Sequence, residues 1–197
     1  MIKIKKAYTD FMKSIFLGQR AYCIELDSFG YEDNEENVAI VCASFPLVYI
    51  YGEEPFKQNK SISELCSFIQ KSNPYTKIII ETDGFIRPSG MNNIKNIQYF
   101  IRGKSKKSGI SFEKRINENS WKWLSKAGGF FIFPIIEEDD FEEINTIISA
   151  LMIRKHQIYI DIQSNDFQHM AFLTINYGFN IYIDNKEEWI ENEETTY

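Results

Sequence analysis

The fold of this chain is decided by the stretch Tyr49-Ile50-Tyr51-Gly52-Glu53-Glu54-Pro55 and by a second stretch, Ile80-Glu81-Thr82-Asp83-Gly84, that follows about thirty residues later. Each is a run of apolar residues that ends in a short polar turn, which is the pattern of a buried strand followed by a loop. In an α/β barrel the functional groups lie at the carboxyl-terminal ends of the strands. The two turns are therefore the first place to look for a site.

Further apolar runs indicate that these two strands belong to a larger sheet. They are Ala21–Leu26, Val38–Cys42, Ile97–Ile101, Phe130–Ile136, Gln157–Ile162 and Asn180–Ile183. Several runs are continuous rather than alternating, as strands are when both faces of a sheet are covered. Segments with helical periodicity lie between them, and Ser61 is predicted to cap one of these helices. Alternating strands and helices predict an α/β fold with a parallel sheet, namely a partial (β/α)6 TIM-like barrel.

The composition limits the class of protein. A chain of 197 residues, 44% of them hydrophobic, can bury one substantial core. We therefore predict a single domain over residues 1–197, with a short N-terminal extension (1–20) and an acidic C-terminal tail (186–197). The net charge of −6 argues against a broad nucleic-acid-binding surface. No apolar run approaches the roughly 20 residues of a membrane span and no signal peptide is evident, so we expect a cytoplasmic protein.

The order strand, Gly52-Glu53-Glu54-Pro55, helix, strand, Glu81-Thr82-Asp83-Gly84 resembles the core of radical S-adenosylmethionine (SAM) proteins. The closest resemblance is to 7-carboxy-7-deazaguanine synthases, and pyruvate formate-lyase activating enzymes are more distant. In this family a Gly-Gly-Glu-Pro turn holds the methionine part of SAM, and a Glu-Thr-Asn-Gly-like turn lies near its ribose. Arg102-Gly103-Lys104 stands where the synthases place Ser-Pro-Lys, whose lysine lies close to SAM. The resemblance implies a radical-SAM-like barrel with these cofactor-binding residues: Gly52, Glu53, Glu54, Glu81, Thr82, Asp83 and Lys104.

The cluster motif of that family is absent from the sequence. Its Cys-x3-Cys-x2-Cys loop would follow the strand Ala21–Leu26, but residues 27–36 contain no cysteine. The cysteines that the chain does have, Cys23, Cys42 and Cys66, are widely spaced in apolar runs and are predicted to be buried thiols. A [4Fe–4S] cluster is held by thiolates, and carboxylates are too hard to replace them. We therefore expect no iron–sulfur cluster and no ordinary radical SAM catalysis.

The leading hypothesis is a degenerate radical-SAM-fold protein, a pseudoenzyme that has lost its cluster. It would act by binding SAM or a related nucleotide-like ligand, or by binding a protein partner as a regulatory or scaffold subunit. An incomplete barrel also leaves strand edges that loops or a second subunit must cover, which leaves a homodimer open.

Two alternatives come from other classes. One is that the chain is still an enzyme, either like the deazaguanine synthases with an unorthodox cluster or metal-dependent through its acidic strand ends. Paired carboxylates among Glu53, Glu54 and Glu81 can support acid–base catalysis, although binding of a ligand ammonium by Glu54 is the favoured interpretation. The other is a purely structural interaction protein. The acidic residues of the segment 27–36 are interpreted as a solvated loop rather than a divalent-metal site.

Overall fold

A single mixed sheet organises the computed structural model, which describes residues 1–11, 18–104 and 108–183. Within those residues the sheet has nine strands in the spatial order β3-β1-β2-β4-β5-β6-β7-β8-β9. The strands are β1 (Ile2–Phe11), β2 (Arg20–Leu26), β3 (Tyr31–Asp33), β4 (Leu47–Gly52), β5 (Lys77–Thr82), β6 (Ile97–Arg102), β7 (Phe130–Ile135), β8 (Ile158–Ile162) and β9 (Asn180–Tyr182). Strands β2 and β4 to β9 are parallel neighbours, whereas β1 is antiparallel to both β2 and β3.

Helices connect most of the parallel strands, as the right-handed crossovers of α/β folds require. They are α1 (Glu35–Cys42), α2 (Asn59–Ser72), α3 (Phe112–Arg115), α4 (Glu118–Lys126), α5 (Asp139–Leu151) and α6 (Phe167–Tyr177), with short 3-10 helices at Pro55–Gln58 and Lys155–Gln157. The connection from β5 to β6, over residues 83–96, is a loop rather than a helix. No helix in the described ranges is long and apolar enough to cross a membrane.

The strands are continuously apolar because both of their faces are buried. Alternate residues such as Ile50 and Ile80 face the helices and join a core with Leu65 of α2. The residues between them, such as Ile79, join a second apolar cluster on the opposite face of the sheet. This second face becomes polar toward the carboxyl ends of the strands, and that change positions the candidate site.

The sequence-based element predictions were wrong at two places. Val38–Cys42, predicted as a strand, is the end of α1. The side chain of Asn34 accepts a hydrogen bond from the Glu36 backbone at 2.9 Å, so a well-capped helix start overrides the β-branched composition. Ser61 is not a cap, because α2 already begins at Asn59.

The predicted α/β fold is confirmed. The parallel part of its sheet has more strands than expected. Six parallel units were predicted, whereas seven parallel strands lie within the described ranges. The segment 1–20, predicted to be an extension, contributes β1, in which Ile2 and Ile4 are fully buried against the core. The predicted acidic tail, 186–197, lies outside the described residues.

Candidate ligand site

The turn Gly52-Glu53-Glu54-Pro55 and the turn Glu81-Thr82-Asp83-Gly84 meet at one edge of the sheet. Strands β4, β5 and β6 are adjacent and parallel, so their carboxyl ends lie side by side. A cavity of about 240 Å³ lies there. Its lining residues are Gly52, Glu54, Pro55, Glu81, Thr82, Asp83, Arg102 and Lys104. Six of the seven residues predicted to bind a cofactor are therefore brought together, and the seventh, Glu53, lies outside the cavity lining.

Glu54 links the ends of two strands. Its carboxylate accepts hydrogen bonds from the Phe56 backbone at 3.1 Å, the Asp83 backbone at 3.0 Å and the Thr82 hydroxyl at 2.8 Å. Together with the Asp83 side chain, which also forms a hydrogen bond with Glu54, these donors hold the carboxyl group in place. Glu54 therefore fixes the ends of β4 and β5 to each other.

The protonation of Glu54 is set by its surroundings. Burial, followed by a hydrogen bond with the Asp83 side chain, raises the pKa of Glu54 to about 7. A negative charge on Glu54 is disfavoured by the nearby carboxylate of Asp83 and by the loss of solvent. Glu54 consequently changes its charge near neutral pH.

Glu53 makes its contacts outside the cavity lining. Its carboxylate accepts hydrogen bonds from the backbone N–H of Ser28 at 2.7 Å and from the Ser28 hydroxyl, and pairs with the Lys57 ammonium at 2.6 Å. The Lys57 and Ser28 hydrogen bonds lower the pKa of Glu53 to about 2. Glu53 therefore holds the turn after β2 against the turn after β4.

The backbone conformation and the neighbouring strand require glycine at position 52. Its φ of +108° lies in the left-handed region. A Cβ atom at this position would come within 2.5 Å of the Leu26 carbonyl oxygen on the neighbouring strand. Only glycine combines this dihedral with this close approach of two strands.

A part-buried ion pair lines the cavity. The Arg102 guanidinium donates to the Glu81 carboxylate at 3.1 Å and to the Tyr182 hydroxyl at 2.9 Å. The Tyr49 hydroxyl donates to the same carboxylate. Burial and the negative charge of Glu81 raise the pKa of Tyr49 well above its ordinary value, so the phenol stays neutral. Both donors bind the same oxygen of Glu81, Oε2, so Arg102 and Tyr49 together fix the orientation of this carboxylate.

Arg102 and Pro55 were missed as lining residues by the sequence analysis. The strand periodicity could have identified Arg102 as a lining residue. Phe100 belongs to the second apolar cluster, on the face of the sheet opposite the helices. Side chains two residues apart on a strand point to the same face, so the side chain of Arg102 points to that face as well. Arg102 is the last residue of β6, so its charge lies at the cavity mouth rather than in the core.

The histidines and the acidic loop do not join this site. His169 pairs with Glu138 at 2.7 Å on the surface, and His156 lies in the 3-10 helix before β8. No group of three or more His, Cys, Asp or Glu side chains in the described ranges is arranged to hold a metal ion.

The cysteines do not fit an iron–sulfur cluster. Cys23 of β2 belongs to the second apolar cluster, whereas Cys42 of α1 and Cys66 of α2 belong to the core on the helix side of the sheet. Burial raises the pKa of Cys23 to about 11 and that of Cys42 to about 12, and raises that of Cys66 further. Thiols on opposite faces of a sheet, held in the protonated form, cannot act together as thiolate ligands.

Comparison with known proteins identifies the fold. No family model matches the chain, and no curated protein sequence matches it. QueE from Escherichia coli, a 7-carboxy-7-deazaguanine synthase, superimposes with a TM-score of 0.71 and 13% sequence identity over 93% of this chain and 93% of QueE. The chain has the radical SAM fold. The predicted resemblance to the deazaguanine synthases is confirmed as a likeness of fold.

A second radical SAM protein shares the fold over a shorter part of its length. SuiB from Streptococcus suis, bound to S-adenosylmethionine, matches with a TM-score of 0.57 and 11% identity over 79% of this chain and 45% of SuiB. SuiB bound to its precursor peptide SuiA matches with a TM-score of 0.55 and 12% identity over 79% of this chain and 43% of SuiB. The chain thus spans nearly all of QueE but less than half of SuiB.

Proposed function

We propose that this chain is a cluster-free protein of the radical SAM fold that binds SAM or a related nucleotide-like ligand at the carboxyl ends of β4, β5 and β6. The observation that carries the proposal is the cavity in which Glu54, Asp83 and Lys104 converge. At about 240 Å³ the cavity is slightly smaller than typical small-molecule pockets. It is suited to the amino-acid end of such a ligand, with the remainder lying outside.

The charges of the cavity suit a zwitterionic ligand with an additional positive charge. Glu81 is neutralised by Arg102, which leaves the Glu54–Asp83 pair against Lys104. An ammonium would lie against the carboxyl groups of Glu54 and Asp83, and a carboxylate would pair with Lys104. SAM carries both groups and a sulfonium charge, and the SuiB structure that shares this fold contains SAM.

The proposed mode of action is binding without radical chemistry. The segment between β2 and α1 contains no cysteine, and the three thiols of the chain lie on both faces of the sheet. Reductive cleavage of SAM requires an electron from a [4Fe–4S] cluster. We therefore assign the protein a regulatory or carrier role that depends on ligand occupancy.

Titration calorimetry with SAM, on anaerobically purified protein whose iron has been assayed, tests this proposal. We expect binding in the absence of iron and a loss of at least tenfold in affinity in Glu54→Gln. The matched control is Glu142→Gln, because Glu142 is exposed in α5 and lines no part of the cavity. Stoichiometric iron would refute the cluster-free assignment. Absence of both iron and binding would refute the ligand assignment and leave a protein partner or a second copy of the chain as the occupant to seek by light scattering.

Acid–base catalysis at the same cavity is a second candidate function, favoured by the pKa of Glu54. A buried carboxyl group whose pKa is about 7 can both accept and donate a proton at neutral pH. The two functions are distinguished by recovering the ligand after incubation. Conversion of SAM that is lost in Glu54→Gln and kept in Glu142→Gln would establish an enzyme, whereas unchanged SAM would support binding alone.

A further inference from the structure

A second pair of cavities lies at the opposite end of the sheet from the candidate ligand site. The first, which we call the aromatic cavity, has a volume of about 380 Å³ and lies beside Ile97, the first residue of β6. The second, the cationic cavity, has a volume of about 200 Å³ and lies beside Phe130, the first residue of β7. Lys126, at the end of α4, lines both cavities, so they adjoin each other.

The aromatic cavity has an apolar wall and an unused polar group. Trp123 and Tyr99 meet edge to face, with ring centroids 5.7 Å apart, and both line the cavity with Met91 and Ile94. The Tyr99 hydroxyl makes no hydrogen bond to any described residue although Tyr99 is only 4% exposed. The Arg87 guanidinium lies 5.9 Å from the Trp123 ring centroid. An aromatic wall with one free donor suits a planar ring that carries an acceptor.

The cationic cavity has a different chemistry. It is lined by Lys126, Arg154 and His156, and no carboxylate in the described part of the chain forms an ion pair with any of them. Neither cavity has an acidic residue in its lining. This segregation stands out because the chain has 28 acidic residues against 22 Lys and Arg. Basic side chains collected without acidic partners favour an anion.

Lys126 does not cap its own helix. A lysine in the last turn of a helix often satisfies terminal carbonyl groups. In α4, however, the carbonyls of Trp123, Leu124 and Ser125 already accept hydrogen bonds from the backbone N–H groups of residues 127–129. The ammonium of Lys126 is therefore not needed as a helix cap.

Hydrogen bonds of Gln157, which lines the cationic cavity, fix the backbone beneath that cavity. The side chain of Gln157, which is 3% exposed, donates to the carbonyl oxygens of Ser125 at 3.0 Å and Gly129 at 2.9 Å. These bonds tie the end of α4 to the start of β8, so Lys126 and Arg154 are presented from a fixed base. A preorganised base lowers the entropic cost of binding.

We propose that the aromatic and cationic cavities together form a second binding site for a ligand that joins a planar aromatic ring to a phosphate, that is, a nucleoside monophosphate. The ring lies against Trp123 and Tyr99, and the phosphate lies between Lys126, Arg154 and His156. Since this site is at the amino ends of the strands and the candidate ligand site is at their carboxyl ends, occupancy of one does not block the other.

Calorimetry with AMP, GMP, CMP and UMP tests the second site, with adenosine and inorganic phosphate as partial ligands. We expect at least one monophosphate to bind at least tenfold more tightly than the nucleoside or phosphate alone. Lys126→Glu and Arg154→Glu should each weaken binding at least tenfold, as should Trp123→Leu. Because Lys126 and Arg154 are exposed, their variants should keep the wild-type circular dichroism spectrum even if Trp123→Leu does not fold.

Glu54→Gln separates the two sites. Its affinity for the monophosphate should equal that of the wild type, so a failure of SAM binding would not affect this result. The proposal is overturned if no monophosphate binds, if Lys126→Glu and Arg154→Glu bind as the wild type does, or if Glu54→Gln abolishes binding while Lys126→Glu retains it.

Discussion

The Glu54–Asp83 pair should make the stability of the folded protein depend on pH in an unusual direction. The pKa of Glu54 is about 7 in the folded protein, against an ordinary value of 4.5, because of burial and the neighbouring Asp83. The folded state therefore binds more protons than the unfolded state between these two values. Stability from this group is fully present below pH 4.5 and is lost as pH rises through about 7.

The magnitude follows from the two pKa values. Each pH unit between the folded and unfolded pKa corresponds to about 1.4 kcal/mol. Between pH 5 and pH 8 the pair should lower the free energy of unfolding by about 2 to 3 kcal/mol, which is a large part of the total for a domain of this size. In Glu54→Gln the amide can still donate to Asp83, as the protonated acid does, but it cannot ionise.

Urea unfolding at pH 5, 6, 7 and 8 measures this effect. The wild type should lose stability over this range, and the loss should be smaller in Glu54→Gln by about 2 to 3 kcal/mol. Glu142→Gln, in which an exposed carboxylate is removed, should follow the wild type. Equal slopes in the wild type and Glu54→Gln would show that the pair does not hold a proton near neutral pH, and the assigned electrostatics of the site would fail.

Three further outcomes follow from the geometry of the site and core. Gly52→Ala should lower the free energy of unfolding by at least about 2 kcal/mol, because a Cβ at a φ of +108° would meet the neighbouring strand. Arg102→Met should cost about 2 kcal/mol, since it leaves the part-buried Glu81 carboxylate without its charged partner, and adding Glu81→Gln should restore part of the loss. The thiols of Cys42 and Cys66 should not react with a thiol-specific chromogenic reagent until the protein is unfolded in urea, because burial raises the pKa of both.

Each of these outcomes has a matched control. Gly128→Ala also places a side chain at a positive φ, +81°, but into open space, so it should cost only about 1 kcal/mol. If Gly52→Ala costs no more than that, the close approach to the Leu26 carbonyl is not a constraint. If the Arg102→Met and Glu81→Gln effects simply add, the two side chains are not coupled. Rapid thiol labelling under native conditions would contradict the burial of Cys42 and Cys66.

The part of the site that could be predicted from the sequence is the part dictated by backbone topology. Apolar runs place β4 and β5 side by side, and their turns must then meet at the carboxyl ends, which brings Glu54 to Thr82 and Asp83. The order of the strands in the sheet is sufficient to bring these two turns together. Val38–Cys42 was mispredicted because its β-branched residues suggest a strand, whereas the cap at Asn34 and the packing of α1 decide for a helix.

The contacts made by long charged side chains could not be predicted, because each has several partners within reach. Glu53 occupies a position in the same turn as Glu54, yet its carboxylate points to Ser28 and Lys57 instead of the cavity. Similarly, Arg102 stands two residues before Lys104 in a motif where only the lysine was expected to line the site. The choice between neighbours is made by strand alternation and by the nearest opposite charge, which only the three-dimensional arrangement supplies.

Glu53 fixes the segment that follows β2, the first parallel strand of the sheet. This segment is a tight turn, with the Gly30 N–H donating to the Asp27 carbonyl at 3.0 Å, that leads directly into β3. The bonds from Ser28 to Glu53 fix that turn to the end of β4. A carboxylate at the second position of the Gly-Glu-Glu-Pro turn thus anchors the turn after β2, and its neighbour Glu54 lines the cavity. Two consecutive acidic residues therefore serve two different contacts, because the turn directs one carboxylate toward β2 and the other toward β5.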